Sequence, residues 1–239
     1  MTEASSLTKM EIIGHLAARH GFSRYLELCT AMTGRLYARR DRNVLTTAHR
    51  LIYNCPADFD DGLGVDFRAE GFDIDSCLSE IRIRGQRYDI ILVDLFHDYA
   101  CSLRDLAGAF MLVEPGGFLV VHDCLPTSRA MAAPEYASGE WCGVTYKAYL
   151  DFVSHRKLDY RTVDTDYGCG VIRKPAPRDI LAGVGRSSSA PGDHGLWQEW
   201  HAIGNDFERA FSFLEAHKEK LLRLIGVEEF LAAPTKMTK

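Results

Sequence analysis

No stretch of this chain approaches the ~18 consecutive apolar residues of a membrane-spanning helix. Its opening, MTEASSLTKMEII, has no basic start followed by an apolar run, so no secretory signal is expected. These absences predict a cytoplasmic protein without a membrane partner. Positive charge is not in excess either: 28 Lys and Arg stand against 33 Asp and Glu, net charge -5, and nothing draws the whole molecule toward a phosphate polymer. No nucleic-acid partner is expected. The seven cysteines, Cys29, Cys55, Cys77, Cys101, Cys124, Cys142 and Cys169, include no C-x-x-C pair, which argues against a disulfide framework or a zinc cage and for reduced core thiols. A G-x-G-x-x-G turn is also missing, and with it the pyrophosphate site of a nicotinamide enzyme. There are no internal repeats. What is there is ordinary: 46% hydrophobic and 26% charged residues over 239 positions, enough for one substantial domain with an appendage.

The hydrophobic pattern predicts alternating elements. Leu7 to His20 has apolar residues at helical spacing and stops at Gly21. YLELCT, Tyr25 to Thr30, reads as a strand, and LTTAHRLIYNC, Leu45 to Cys55, as a helix ending at Pro56. LGVDFR, Leu63 to Arg68, is a second short strand, and Ile74 to Arg84 a helix. RYDIILVDL carries Ile90 to Val93, apolar on both faces like a central parallel strand. A helix from Ser102 to Val113 leads to a strand at FLVVHDC, Phe118 to Cys124, and Val144 to Arg156 is helical again. LDYRTVDTD and GCGVIRK flank a tight Tyr167-Gly168 turn, so close that they form a hairpin. The expected fold is α/β, a Rossmann-like doubly wound sheet, mostly parallel, with a C-terminal antiparallel hairpin. Residues 1–174 form this domain, and 175–195, rich in Pro, Gly and Ser, a linker or lid. Residues 196–239 form a helical appendage, amphipathic from Leu196 to Ala233, that packs on its own domain or pairs two copies in a homo-oligomer.

Ligands of open parallel sheets bind beyond the C-terminal ends of the strands, where strand order reverses. Polar residues stand at each predicted strand end: Cys29-Thr30, Asp66 before Phe67, Asp94, and His122-Asp123. Asp66 suits ribose hydroxyls, or equally a helix N-cap. In VDLFHDY, His97 and Asp98 follow Asp94 and can work as base and orienter. His122 converges on the same place. Asp94, His122 and Asp123 could instead hold a divalent Mg, Mn or Fe ion, or the two carboxylates could cap helices. The cluster Arg35, Arg39, Arg40 and Arg42 reads as a solvated face, with an anion clamp as the alternative. Trp141, in GEWCG, reads as a stacking or lid residue or as packing for the next helix.

The succession YLEL, GVD, YDIILVD-x-x-H-x-Y, EPGGFLVVHDC and hairpin, Arg24 to Lys174, resembles the class I S-adenosylmethionine-dependent methyltransferases. It is most similar to a small bacterial branch reading LEIG, IDG-x-H-x-Y and PGG-x-x-x-x-HD. The resemblance implies that Glu27 and the turn of Cys29, Thr30, Ala31 and Gly34 line the methionine end of S-adenosylmethionine. Asp66, next to Phe67, would then hold the ribose, Asp94 close the site at the sulfonium, and His97 act as base. Asp94 and Asp123 match the metal-binding acidic residues of related sugar and polyketide O-methyltransferases. The departure lies in E-x-G-x-x-x-G, where this chain has Glu27, Cys29, Thr33 and Gly34; small residues replace glycines whose purpose is close backbone approach. The expected function is O-methylation of a small polar hydroxyl compound such as a sugar, with His97 or His122 removing the proton. A scaffold on a decayed methyltransferase fold and a metal-dependent hydrolase using Asp94, His122 and Asp123 are the alternatives.

Overall fold

A computed structural model describes residues 6–31, 33–54, 56–94, 96–156, 158–177, 179 and 193–233. Its centre is an eight-stranded sheet. The strands are β1 (Arg24–Cys29), β2 (Thr47–Tyr53), β3 (Phe67–Ala69), β4 (Tyr88–Asp94), β5 (Val113–Val121), β6 (Asp159–Val163), β7 (Cys169–Arg173) and β8 (Leu224–Ile225), in the spatial order β3-β2-β1-β4-β5-β7-β6-β8. Among the described residues only β7 runs antiparallel to its neighbours, pairing with β5 and β6. Strand order reverses between β1 and β4, which puts the ligand-binding crevice of this architecture at Cys29 and Asp94.

The helices are α1 (Lys9–His20), α2 (Asp75–Ile83), α3 (Tyr99–Leu112), α4 (Thr145–Arg156), α5 (Asp193–Ala202), α6 (Phe207–Leu221) and α7 (Val227–Ala232). The strand period of two divides the core between the faces. Ile91 and Val93 join α2, α3, α4 and α6 on one side; Ile90 and Leu92 join Ile13 and Leu16 of α1 on the other. All seven positions of β4 are buried, as its apolar run predicts, and each fully buried aliphatic side chain there contributes roughly 1.5–3 kcal/mol. Among the described residues no helix is long and apolar enough to cross a membrane.

Three departures from the sequence reading shape the site. Leu45–Cys55, expected as a helix, contains β2, because Leu51, Ile52 and Tyr53 are buried between β1 and β3 with no spare polar face. So short an apolar run fits either element until its neighbours are known. A 3-10 helix, Thr33–Arg39, then takes the place of a full crossover helix between β1 and β2. Second, the strand expected at Leu63–Arg68 is β3, three residues at the sheet edge, and Asp66 precedes it instead of closing the second strand. The real second strand ends at Tyr53-Asn54, with no carboxylate. Third, the C-terminal segment supplies β8, which pairs parallel with β6 through Thr162↔Leu224 and Val163↔Ile225.

The C-terminal helices share the core. Trp200 of α5 is fully buried and its Nε1 donates to Asp151 Oδ1 of α4 at 2.7 Å. The other oxygen, Oδ2, accepts from Tyr99 Oη at 2.7 Å and from Lys147 Nζ at 2.5 Å, so one carboxylate ties α3, α4 and α5 together. Most of the expected linker, residues 178 and 180–192, lies outside the described residues.

Candidate active site

Beyond the ends of β4 and β5 lies a cleft of about 180 Å³, lined by Lys9, Thr33, Asp94, His97, His122, Asp123, Met131, Glu140, Trp141, Cys142 and Tyr167. Each side chain arrives there for a local reason. Asp94 ends β4, while His97 follows in a loop fixed by Asp98, the N-cap of α3, whose carboxylate accepts from Ala100 N at 2.9 Å and Cys101 N at 3.1 Å. Below the loop, Val144 N donates to His97 O at 2.9 Å. Gly143 fits there only for want of a side chain: at φ 55°, a Cβ would stand 2.3 Å from His97 O. His122 and Asp123 continue past β5, and Asp123 has φ 61°, a left-handed conformation uncommon for a residue with a Cβ and typical of functional turns. Trp141 is anchored through Nε1 to Ala133 O at 2.7 Å, its ring edge-on to His97 with centroids 5.3 Å apart.

His97 Nε2 lies 3.2 Å from Asp123 Oδ2, and its Nδ1 lies 3.1 Å from Thr145 Oγ1 at the start of α4. A carboxylate on one ring nitrogen and a hydroxyl on the other orient an imidazole for proton transfer. His122 is placed differently. Its Nδ1 is 3.0 Å from Asp123 Oδ2 and 3.4 Å from Asp94 Oδ1, and its Nε2 is 3.4 Å from Asp166 Oδ1. Burial opposes charge on this ring, but Asp94, Asp123 and Asp166 outweigh it and raise the pKa well above the ordinary histidine value. Three carboxylates face His122 and only one faces His97, so the charged form is favoured more at His122, and of the two expected bases the geometry suits His97. These ion-pair distances are close enough for charge attraction but poorly aligned for hydrogen bonding. Asp94 Oδ1 and both ring nitrogens of His122 are buried with no aligned hydrogen-bond partner among the described residues. Buried polar atoms of this kind fit a site that binds a polar group.

Lys9, the first residue of α1, was not foreseen. Its side chain is 8% exposed and its ammonium is paired with Asp94 Oδ2, whose side chain is 1% exposed. Burial alone would lower the lysine pKa; Asp94, Asp123 and Glu27 reverse this and hold it above the ordinary range, while Lys9 and His122 hold Asp94 below its own. The signal was in the sequence: Lys9 shares a helical stripe with Ile12, Ile13 and Leu16, where a lysine needs a buried partner. Asp94, His97 and Asp123 can offer ligand atoms within 4.8 Å of one another. The expected metal set of Asp94, His122 and Asp123 meets a competitor in this arrangement, because the Lys9 ammonium already holds one oxygen of Asp94. A divalent ion about 4 Å from an ammonium is opposed by roughly 8 kcal/mol at an effective dielectric constant of ~20.

The expected cofactor residues are brought together in part. Glu27 is 1% exposed and accepts from Tyr25 Oη at 2.7 Å; burial raises its pKa to about 7. Cys29 is buried, and Gly34 sits so tightly on it that a Cβ would stand 2.7 Å from Cys29 Sγ and 2.8 Å from Arg50 Nη2. Thr30 and Ala31 are half-buried. Thr30 N donates to Thr33 Oγ1 at 3.0 Å, and Thr33 Oγ1 donates to Asp94 O at 2.6 Å, so the turn crosses the crevice between β1 and β4. Asp66 stands level with Arg50 in mid-sheet, where Oδ2 accepts from Arg50 N at 2.8 Å, and Phe67 is buried in β3. Arg50, another residue the sequence did not flag, is buried in a bidentate pair with Asp61 at 3.0 and 2.9 Å. The expected arginine cluster lines no part of the cleft: Arg35, Arg39 and Arg42 are exposed, and Arg40 stacks over Tyr37 at 3.8 Å.

The crevice between β1 and β4 departs from an open donor site in two ways. The real end of β2 has no carboxylate for ribose, and Thr33 bridges β1 to β4 through its bond to Asp94 O.

No family model matches the chain, and no curated protein matches it. Solved structures do. A Klebsiella pneumoniae protein provisionally described as an O-methyltransferase is 15% identical, over 74% of this chain and 84% of its own, with a TM-score of 0.50. The O-methyltransferase from Bacillus cereus in complex with SAH is 12% identical over 72% and 84%, TM-score 0.49. An O-methyltransferase of tomaymycin synthesis from Streptomyces achromogenes, in complex with SAM, is 11% identical over 74% and 84%, TM-score 0.49. At these identities the likeness is one of fold, and the first of the three carries it: the chain has the α/β Rossmann-like architecture found among O-methyltransferases.

Proposed function

We propose that the chain is an O-methyltransferase whose acceptor, a small polar hydroxyl compound such as a sugar, enters the cleft at β4 and β5, and whose methyl donor is S-adenosylmethionine. The observation that carries this reading is the His97–Asp123 pair, 3.2 Å apart, with Thr145 on the other ring nitrogen at 3.1 Å. It stands where ligands of this architecture bind. With Nδ1–H of His97 donating to Thr145 Oγ1, Nε2 takes the proton of the acceptor hydroxyl, and Asp123 beside it stabilises the imidazolium that results. Lys9 and His122 offset the carboxylates of Asp94, Asp123 and Asp166 around the oxygen that loses the proton. Trp141 offers the acceptor an apolar face. When bound, the donor supplies an electrophilic methyl group; its entry requires the Thr30–Gly34 turn to leave the carbonyl of Asp94.

A second reading has its own support. The end of β2 lacks an acidic residue and the first crevice is bridged by Thr33, which favours a binding protein that keeps the fold without catalysis. Calorimetric titration of S-adenosylmethionine and S-adenosylhomocysteine into wild type and Thr33→Ala separates the two. Binding in wild type, strengthened in Thr33→Ala, supports the transferase; silence in both folded proteins supports the binding protein. His97→Gln should keep donor binding and lose transfer.

A further inference from the structure

We propose that Lys9 is the resident cation of the cleft, a fixed ammonium standing where the resemblance to sugar and polyketide O-methyltransferases calls for a divalent metal. The inference rests on the reading of this cleft as the acceptor site and names what serves the acceptor oxygen there.

The chain is built to deliver this lysine. Thr8 caps α1 in a reciprocal box with Glu11, which fixes the first turn. That turn is pinned to the β6–β7 connection: Leu7 N donates to Thr165 Oγ1 at 3.0 Å, Thr165 Oγ1 donates to Leu7 O at 2.8 Å, and Lys9 N donates to Asp166 Oδ2 at 2.7 Å. Three contacts between segments about 160 positions apart in sequence hold the start of α1 over the ends of β4 and β5. From there the Lys9 side chain passes inward to the carboxylate of Asp94. Exposed lysines do not need such anchoring.

Charge leads to the same place. Asp94, Asp123 and Asp166 face Lys9, His97 and His122 within the cluster. A divalent ion on Asp94 would share that carboxylate with an ammonium, whereas without Lys9 the carboxylates would attract it. An ammonium has three N–H donors, so while bound to Asp94 it can also face an acceptor oxygen. Lys9 is thus a positioning residue for Asp94 and a fixed counter-charge for the alkoxide that His97 generates, which a chelator cannot remove.

The test is titration of the full chain with manganese(II) chloride at neutral pH, followed by the electron paramagnetic resonance of free Mn(II) and by calorimetry. Wild type and Lys9→Arg should show no saturable binding. Lys9→Met should bind at least about tenfold more tightly than wild type, and adding Asp94→Asn should abolish the gain. Lys9→Gln replaces the methionine variant if circular dichroism shows that the latter has lost its fold. Saturable binding by wild type that disappears in Asp94→Asn overturns the proposal with no substitution at Lys9, and so does a folded Lys9→Met or Lys9→Gln that gains no affinity. No donor or acceptor is needed, so failure here leaves the methyltransferase reading standing, and absence of donor binding leaves this one standing.

Discussion

Glu27 offers a direct measure of how tightly the first crevice is closed. It is 1% exposed, and burial raises its pKa from the ordinary 4.5 to about 7, against the opposing pulls of Tyr25, Lys9 and Arg50. Below the unfolded value both states carry the proton and Glu27 contributes no pH dependence. As pH rises from 4.5 to about 7 the unfolded chain releases its proton while the folded one keeps it, so the folded state binds more protons and stability falls. Above this window the loss is complete: the interval of 2.5 (7 − 4.5) at ~1.4 kcal/mol per pH unit is roughly 3–4 kcal/mol. Glu27→Gln cannot titrate. In urea denaturation at a series of pH values, the stability of Glu27→Gln minus that of wild type should therefore rise by roughly 3–4 kcal/mol between pH ~4 and pH ~8. Taking the difference cancels the other titrating groups to first order. A difference that stays flat across the window would refute the reasoning, since it would mean that water or a ligand pocket reaches Glu27 and that the Thr30–Gly34 turn is not seated as described.

Three further outcomes are expected. Gly143→Ala combines a left-handed backbone, costing about 1–2 kcal/mol, with a Cβ 2.3 Å from His97 O; a loss of roughly 2–5 kcal/mol in urea denaturation is expected, and one below about 0.5 kcal/mol would show that the loop moves freely. Trp200→Ala empties a fully buried site and leaves Asp151 Oδ1 without its donor, so it should cost roughly 3–5 kcal/mol and expose α5 to limited proteolysis before the sheet unfolds. Asp123→Gly relieves a positive φ of 61° but removes the buried carboxylate beside His97 and His122; a backbone gain of about 1 kcal/mol is outweighed by roughly 3–5 kcal/mol for buried charge left without its partner, so thermal melting should show a net loss of stability, and a variant as stable as wild type would mean that neither histidine depends on Asp123.

The parallel centre was legible because β4 and the end of β5 are apolar on both faces, and because α1, which leads into β1, has an amphipathic stripe and a glycine stop at Gly21. The hairpin was legible from its short turn, and His97, His122, Asp94 and Asp123 from their places at strand ends. Less of the first βαβ unit could be read. In LTTAHRLIYNC the spacing of Leu45, His49 and Ile52 permits a helix, and only the neighbours β1 and β3 decide for a strand. That one error moved the end of the second strand from Tyr53 to Asp66 and made Asp66 look like a ribose ligand. Contacts distant in sequence were invisible for another reason: Lys9 with Asp94, Thr33 with the carbonyl of Asp94 and Trp200 with Asp151 join residues whose spacing carries no period. Lys9 alone left a trace, as a charge on an apolar stripe. β8 left none, because two residues are too few for alternation to register.

The two halves of the proposed site meet in one residue. Asp94 stands where strand order reverses, and its two functional groups face different tasks. Its carbonyl accepts from Thr33, which spans the crevice on the β1 side; its carboxylate holds Lys9 and stands 3.4 Å from His122 on the β5 side. A donor entering between β1 and β4 must displace Thr33 and satisfy that carbonyl itself, since a buried carbonyl left unpaired costs about 1–3 kcal/mol. The carboxylate need not move in that exchange, because Lys9 is held independently through Asp166 and Thr165. Opening the donor side is thus compatible with an unchanged acceptor side. Thr33 and Lys9 nevertheless share Asp94 as partner and line one cleft, so a double-mutant cycle of Thr33→Ala and Lys9→Met should show a coupling of about 0.5–3 kcal/mol in urea denaturation, and strict additivity would mean that the two sides of Asp94 act independently.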